Sequence, residues 1–347
     1  MSDLPTFSVV IVNYNGGDFL ANALASLKRQ TFTDFEVLLV DNASADGSVD
    51  DIDATGLPGF QLLKQEANLG FAAGNNVAAK VAKGRWLLLL NPDTEAKEDW
   101  LEQLNDAAER YPTCRTFASA QINLSNRELM DGAGDCYQLF GIPWRGGFER
   151  SVKEMPDEGL CFAACGASAM YDRELFLSLN GFDERLFCYC EDVDLGFRLQ
   201  KLGEECIFVP SAVIYHEGSG ISGQESEFST TYGSRNRSAI FVKNMPFWLL
   251  FLTFPAHLAI IAYIVVRNRR SPRAKWIWDS SLKGLPMGWK MRFSPEWRVA
   301  SSLALAPGLL KSFAWNPFRM SKRRTHIRSL PSDRLTNAEE LTEQFAE

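Results

Sequence analysis

At 347 residues, 46% apolar and 23% charged, the chain is long enough for one large domain or two small ones and too apolar to be largely disordered. Its net charge of −7 hides an asymmetry: residues 1–242 carry 19 Lys and Arg against 36 Asp and Glu, whereas residues 243–347 carry 17 against 7. An acidic body with a basic tail points to a membrane surface or a phosphate-bearing lipid rather than nucleic acid, because the basic residues are interleaved with apolar blocks and no nucleic-acid-binding motif occurs.

The opening "MSDLPTFSVV" lacks the basic and then apolar pattern of a signal peptide, and seven cysteines fit reduced thiols in a cytosolic compartment. "SVVIV" (8–12) reads as a buried strand, and "GDFLANALASLKRQ" as a helix with Phe19, Ala23, Leu24 and Leu27 at helical spacing. "FEVLLVD" (35–41) is the next strand, followed by the turn "ASADGS" and a short helix. "FQLLKQ" is a third strand, "AAGNNVAAKVAKG" a helix ending at Gly84, "WLLLL" (86–90) a fourth strand and "DWLEQLNDAAERY" from Asp99 a helix. Residues 121–159 are rich in Gly and turn formers and read as an excursion, after which "FAACGASAMYD", helix "RELFLSL", strand "CIFVP" and "AVIYHEGSG" resume the pattern. This alternation predicts an α/β fold, a mainly parallel, doubly wound sheet flanked by helices, with ligands at the carboxyl ends of the strands.

Beyond residue 242 the composition changes. Residues 247–266 hold no formal charge over the length of a membrane span. Pro255 in mid-run, and Arg267, Arg269 and Arg270 just after it, speak against simple spanning. Monotopic or re-entrant insertion, a docked soluble helix and a true span all remain open, and a second apolar stretch at 299–315 offers a return. The expected divisions are a catalytic domain at 1–242, an apolar and basic helical region at 243–320 that associates with a membrane, and a polar tail at 321–347.

The chemistry gathers at strand exits. Asp93 in "NPDT" could cap the next helix, but Thr94 and Asp99 are available for that, and a carboxylate here can hold a divalent cation against a diphosphate. Asp41 ends "VLLVD" either as an Asx-turn residue or as an acceptor for the imide N–H of a pyrimidine base. "NLGFAAGNN" permits close backbone approach to a ligand, yet neither it nor "NYNGGDF" is a dinucleotide fingerprint. Glu191, Asp192 and Asp194 crowd one helix start, more acid than capping needs, so one is available as a general base. His216 follows a strand and is a metal candidate. Arg235 or Arg237 in "SRNR" could clamp a phosphate or form surface ion pairs. The pairs Cys161/Cys165 and Cys188/Cys190 match no common zinc spacing and read as small buried hydrophobes.

Five segments, "VVIVNYNGGDFLANALASLKRQTFTDFEVLLVDNASADGS", "NLGFAAGNN", "LLLLNPDT", "GFDERLFCYCEDVDLGFRL" and "YHEGSGIS", together resemble family 2 glycosyltransferases over about residues 7–246, nearest the bacterial rhamnosyltransferases of O-antigen and cell-wall polysaccharide assembly. The resemblance implies a GT-A fold and inverting transfer from a nucleotide-diphosphate sugar, with dTDP-rhamnose as the expected donor and a lipid-linked saccharide as the acceptor. It places Asn13, Tyr14 and Asp41 at the base and ribose, Asn68 and Asn75 in the nucleotide-facing loop, and Asn91 and Asp93 where many members have Asp-x-Asp. It makes His216 a partner of Asp93 in holding Mg²⁺ or Mn²⁺, and Asp192 of the Glu191-Asp192 pair the base. Asn91 departs from the family pattern and removes one negative charge from the metal side. The expected location is the cytoplasmic face of the inner membrane. A sugar nucleotidyltransferase would want a basic triphosphate loop that "NYNGGDF" lacks, and a non-catalytic sugar-nucleotide sensor would not need these acids.

Overall fold

The computed structural model describes residues 4–50, 52–218, 223, 226–295, 308–316, 319–320 and 322–331. The chain runs β1 (Phe7–Asn13), α1 (Gly17–Lys28), β2 (Phe35–Asp41), β3 (Gln61–Lys64), α2 (Gly70–Val81), β4 (Trp86–Leu90), β5 (Thr94–Ala96) and α3 (Trp100–Arg110). There follow β6 (Thr116–Asn123), β7 (Met130–Ala133), β8 (Asp135–Gln138), β9 (Ile142–Arg145), β10 (Gly159–Cys161), β11 (Ser168–Asp172), α4 (Arg173–Ser178), α5 (Glu191–Leu202) and β12 (Cys206–His216). Helices α6 (Glu227–Asn244), α7 (Phe247–Arg267), α8 (Arg273–Arg292) and the short α9 (Leu309–Ser312) complete it. The short helix expected after the 43–48 turn is not formed, residues 42–50 being turn and irregular backbone.

The main sheet orders as β10-β12-β6-β11-β4-β1-β2-β3, with β5 and β7 paired at its side. Strands β4, β1, β2 and β3 are parallel, as the alternation predicts. Strand β11, however, lies antiparallel between β4 and β6, so the sheet is mixed. The reason is where the chain re-enters: β11 begins opposite Leu90, at the carboxyl end of β4, and no crossover helix lies between β6 and β11. Strand period explains the run of leucines. Phe7, Val9, Ile11, Leu88 and Leu90 join one core with Leu20, Leu24, Leu27, Trp100 and Leu104 from α1 and α3. Val10, Val12, Leu87 and Leu89 join a second core with Ala72, Ala78 and Phe176 on the opposite face. Burial on both faces favours apolar side chains along these strands, Ser8 and Glu36 being buried only as a hydrogen-bonded pair at 2.6 Å, and the functional polar groups follow at the strand ends.

The boundary expected after residue 242 falls inside α6, whose Lys243 side chain is buried between Asp183 and Asp194, 2.8 Å from each. Helix α8 presses against α6 through Gly284 and Gly288, where an added Cβ would come within 2.1 Å of the Arg235 carbonyl oxygen and 2.3 Å of that of Ala239. Arg292 then donates to the carbonyls of Val242 and Met245 at the end of α6, each at 2.7 Å. The assigned helix continues through Pro255. The returning stretch expected at 299–315 is described only from residue 308, and the tail expected at 321–347 only at 322–331; the remainder of both lies outside the described residues.

Candidate active site

A cleft of about 200 Å³ opens at the carboxyl ends of β1, β4 and β12, with Tyr14, Asn68, Asn91, Asp93, Arg145 and His216 in its walls. Aromatic rings of Phe71, Phe187, Tyr189 and Phe228 complete the lining. Asp93 and His216, distant in sequence, meet: His216 Nε2 lies 3.3 Å from Asp93 Oδ1. The other ring nitrogen, Nδ1, is 2.7 Å from Asp131 Oδ2, and Arg145 pairs with that same oxygen. Burial by itself would lower the His216 pKa, but the charge of Asp93 and the bond to Asp131 override it and raise it to about 9. Arg145 and His216 likewise hold Asp131 below the usual carboxylate range against the opposing effect of burial.

Among the described residues, His216 Nε2 is buried beside a carboxylate oxygen without a well-formed hydrogen bond, and Asn91 Oδ1 is buried without a hydrogen-bond partner. One imidazole, one carboxylate and one amide oxygen suit Mg²⁺ or Mn²⁺ that takes its remaining ligands from phosphate and water. Asp131 complements this set, since a carboxylate on Nδ1 keeps the proton on that nitrogen while an ion at Nε2 would take the place of the other.

Asp192 sits in the first turn of α5, and the chain reaches it through two successive left-handed non-glycine residues, Tyr189 (φ 73) and Cys190 (φ 67). Its Oδ2 accepts the Gly166 N–H and its Oδ1 the Val193 N–H, each at 2.7 Å. Burial raises the Asp192 pKa and these bonds restrain the rise. Gly166 backs onto the cleft-lining ring of Phe71, leaving 3.1 Å for a Cβ, so Asp192 stands just behind the cleft wall. Asp135 and Cys165 bring ligand atoms within 4.8 Å of those of Asp192. Burial, and then the charge of Asp192, hold the Asp135 carboxyl well above the usual range, and the two buried acids titrate as a pair. Glu191 is 4% exposed and likewise pushed up by burial and by Asp192.

The nucleotide-side candidates divide. Tyr14 and Asn68 line the cleft, with Asn68 Oδ1 accepting the Gly70 N–H at 2.9 Å at the start of α2. Asn13 and Asp41 are register partners at the ends of β1 and β2 but are buried beneath the rim. Asn13 Nδ2 reaches the Ser44 and Ser48 hydroxyls at 3.0 Å, and Asp41 Oδ1 accepts the Ser44 N–H at 3.2 Å. Asn75 lies within α2, bonded to the Phe71 carbonyl at 2.9 Å. Sequence reasoning did not single out Asp131, Asp135, Arg145 or Asn42, which lines the cleft and donates to the Gly70 carbonyl at 3.1 Å. Three of these lie in the excursion, where only the acids of "MDGAGD" within a Gly-rich stretch offered a signal. All seven cysteines are free; Cys161 and Cys165 are buried, and Cys188 and Cys190 are half-buried.

The family model described as Glycosyl transferase family 2 matches residues 8–179. An N-acetylglucosaminyl-diphospho-decaprenol L-rhamnosyltransferase of Mycobacterium tuberculosis (strain ATCC 25618 / H37Rv) is 30% identical over 77% of this chain and 95% of its own. The chain belongs to glycosyltransferase family 2. This glycosyltransferase is also similar to the amylovoran biosynthesis glycosyltransferase AmsB of Erwinia amylovora, 26% identical over 72% of this chain and 78% of the relative. Among solved structures, GalNAc-T7 with UDP, GalNAc and Mn²⁺ superposes with a TM-score of 0.56 at 18% identity, over 84% of this chain and 57% of that one. A mannosyltransferase from Pyrobaculum calidifontis in complex with GDP-Man and Mn²⁺ gives 0.50 at 16% identity, over 84% and 88%. The fold is GT-A-type.

Proposed function

We infer that this glycosyltransferase moves L-rhamnose from dTDP-rhamnose, with inversion, onto a lipid-linked saccharide at the cytoplasmic face of the membrane. The likeness to the mycobacterial rhamnosyltransferase over nearly its whole length carries the reading. In this mechanism Asp192 takes the proton of the acceptor hydroxyl as that oxygen attacks the anomeric carbon from the face opposite the diphosphate. The new C–O bond forms as the bond to the diphosphate breaks, and the nucleoside diphosphate departs with the electron pair. A single base suffices, because the leaving group needs charge stabilisation rather than a proton. Asp93 and His216, with Asn91 beside them, would hold a divalent cation, which when bound neutralises charge on the diphosphate. Asn13, Tyr14, Asp41, Asn68 and Asn75 serve the nucleoside, Tyr14 and Asn68 by contact and the buried three by shaping the rim. Glu191 backs Asp192 by keeping its side of the helix start dry.

A donor panel tests this directly. Turnover of dTDP-rhamnose with a lipid-linked acceptor is expected to exceed that of UDP- and GDP-sugars by at least about tenfold, and to fall on removal of divalent cations by chelation. Preference for another donor would overturn the choice of sugar.

The membrane side of the reading rests on α7. Among the described residues it is the helix long and apolar enough to cross a membrane, with a mean hydropathy of 2.3 and only 28% of that window buried. One face is fastened inward by Leu249, Leu250 and His257, the last bonded to the Phe140 carbonyl at 2.8 Å. The other presents Trp248, Tyr263 and the strongly exposed Phe251 and Leu252 (62% and 72%). A helix held by protein on one side and apolar on the other suits seating in the interface rather than crossing it, with Arg267, Arg269 and Arg270 reaching headgroups. The protein is expected to cosediment with anionic liposomes at low salt, and Phe251→Asp with Leu252→Asp to weaken this at least about tenfold. Indifference to such liposomes would remove the membrane from the reading.

A further inference from the structure

Apart from the cleft, a cavity of about 260 Å³ lies where β9, the approach to α5 and helices α6, α7 and α8 meet. Its polar lining is Ser229, Thr230, Ser234 and Arg237 from α6, Asn268 just past α7 and Arg273 from α8, with no carboxylate among the lining residues. Arg237 Nε and Nη2 are buried without a hydrogen-bond partner among the described residues. Thr230 is 8% exposed, and its Oγ1 is unpaired in the same way. A guanidinium stays charged at ordinary pH, so leaving one buried without an acceptor is unfavourable unless an anion completes it. Its neighbour Arg235 has no such need: it donates to the carbonyls of Leu186 at 3.0 Å and Arg185 at 3.3 Å and to Asn236 Oδ1 at 2.8 Å. Of the two arginines in "SRNR", only Arg237 has buried nitrogens left for a phosphate.

The position of the cavity says which phosphate. Cys188 and Tyr189 line the donor cleft and Cys190 lines this cavity, so the left-handed pair Tyr189 and Cys190 is the partition between them. Asp192 comes two residues later, in the first turn of α5. The far wall is Ile264 and Asn268, at the end of the apolar helix. Resting on the lipid-linked acceptor read above, we propose that the Arg237 cavity binds the diphosphate of that acceptor. Its sugar then extends past Cys190 toward Asp192, and its lipid follows the exposed face of α7. The Arg237 guanidinium with the hydroxyls and the amide, and no carboxylate among the described lining residues, matches the oxygens of a diphosphate.

The test uses the full chain and two acceptors carrying the same sugar, one on a short polyprenyl diphosphate and one on a neutral alkyl chain. Arg237→Gln is expected to raise KM for the diphosphate acceptor about 10- to 100-fold, the scale of a charge-assisted pair, and to leave KM for the neutral one within about twofold. Arg237→Lys recovers much of the loss, and Thr230→Val raises the first KM a few-fold. In parallel, calorimetry with inorganic pyrophosphate, the donor cleft saturated with nucleoside diphosphate, is expected to show binding to the wild type and none to Arg237→Gln. Equal KM changes for both acceptors, or pyrophosphate binding indifferent to Arg237, overturn the proposal. If the wild type uses no lipid diphosphate at all, the acceptor reading fails, and the calorimetry still decides whether an anion site is present.

Discussion

Asp192→Asn should lower kcat by about three orders of magnitude while the dissociation constant of the nucleotide-sugar donor changes by no more than about twofold. The substitution preserves shape and leaves an oxygen to accept the N–H of Gly166 or Val193, so the fold around α5 is retained. What it removes is the lone pair that takes the acceptor proton. Because burial raises the Asp192 pKa, the base loses its proton above the ordinary carboxylate range. The wild-type rate should therefore climb with pH through a rise displaced upward from that of a free aspartate, and the variant should lack that rise. Single-turnover rates and donor titrations over pH check both statements. Loss of donor binding together with turnover would reassign Asp192 to structure.

Lys243→Met should destabilise the protein by about 3 kcal/mol, lowering Tm by roughly 5–10 °C. Lys243 Nζ is the shared cation of Asp183 and Asp194, both 0% exposed, and Asn244 Nδ2 adds 2.7 Å to Asp194 Oδ1. Arg185 and Arg198 remain for the two acids, but neither spans them. The exposed pair Lys97–Asp99 is the control: Lys97→Ala should shift stability by less than about 0.5 kcal/mol. Acid separates the same network. Burial opposes the charge of Asp194, yet Lys243 and then Arg198 lower its pKa from 3.8 to about 2. A depressed folded-state pKa means the stabilisation is complete above the unfolded value and is lost as pH falls from near 4 toward 2. Thermal melts of wild type and Lys243→Met should converge over that window, and parallel curves would show that the network adds nothing.

What could be read in advance follows from how local the determinants are. β2 and β4 coincide with "FEVLLVD" and "WLLLL", because unbroken apolar runs bounded by turn residues have no other use in such a fold. The meeting of Asp93 and His216 was anticipated from strand exits and family resemblance, since each side chain follows directly from the end of a rigid strand. The insertion of β11 and the arrival of Asp131, Asp135 and Arg145 were not legible. Their places depend on pairings of β7, β8 and β9, short segments whose partners are set by tertiary register rather than by their own pattern. Arg237 was legible as one of two arginines, and only the carbonyls that capture Arg235 tell them apart.

The glycine seam between α6 and α8 bears on how this enzyme can be prepared. Trimming the chain ahead of α7 to gain solubility would strip away α8, baring the α6 ridge that Gly284 and Gly288 cover and the carbonyls that Arg292 caps. That ridge runs straight to the Lys243 lock beneath α5, so a truncated protein would lose activity for reasons unrelated to lipid. Polar replacements confined to the outward side of α7 are the route that spares it.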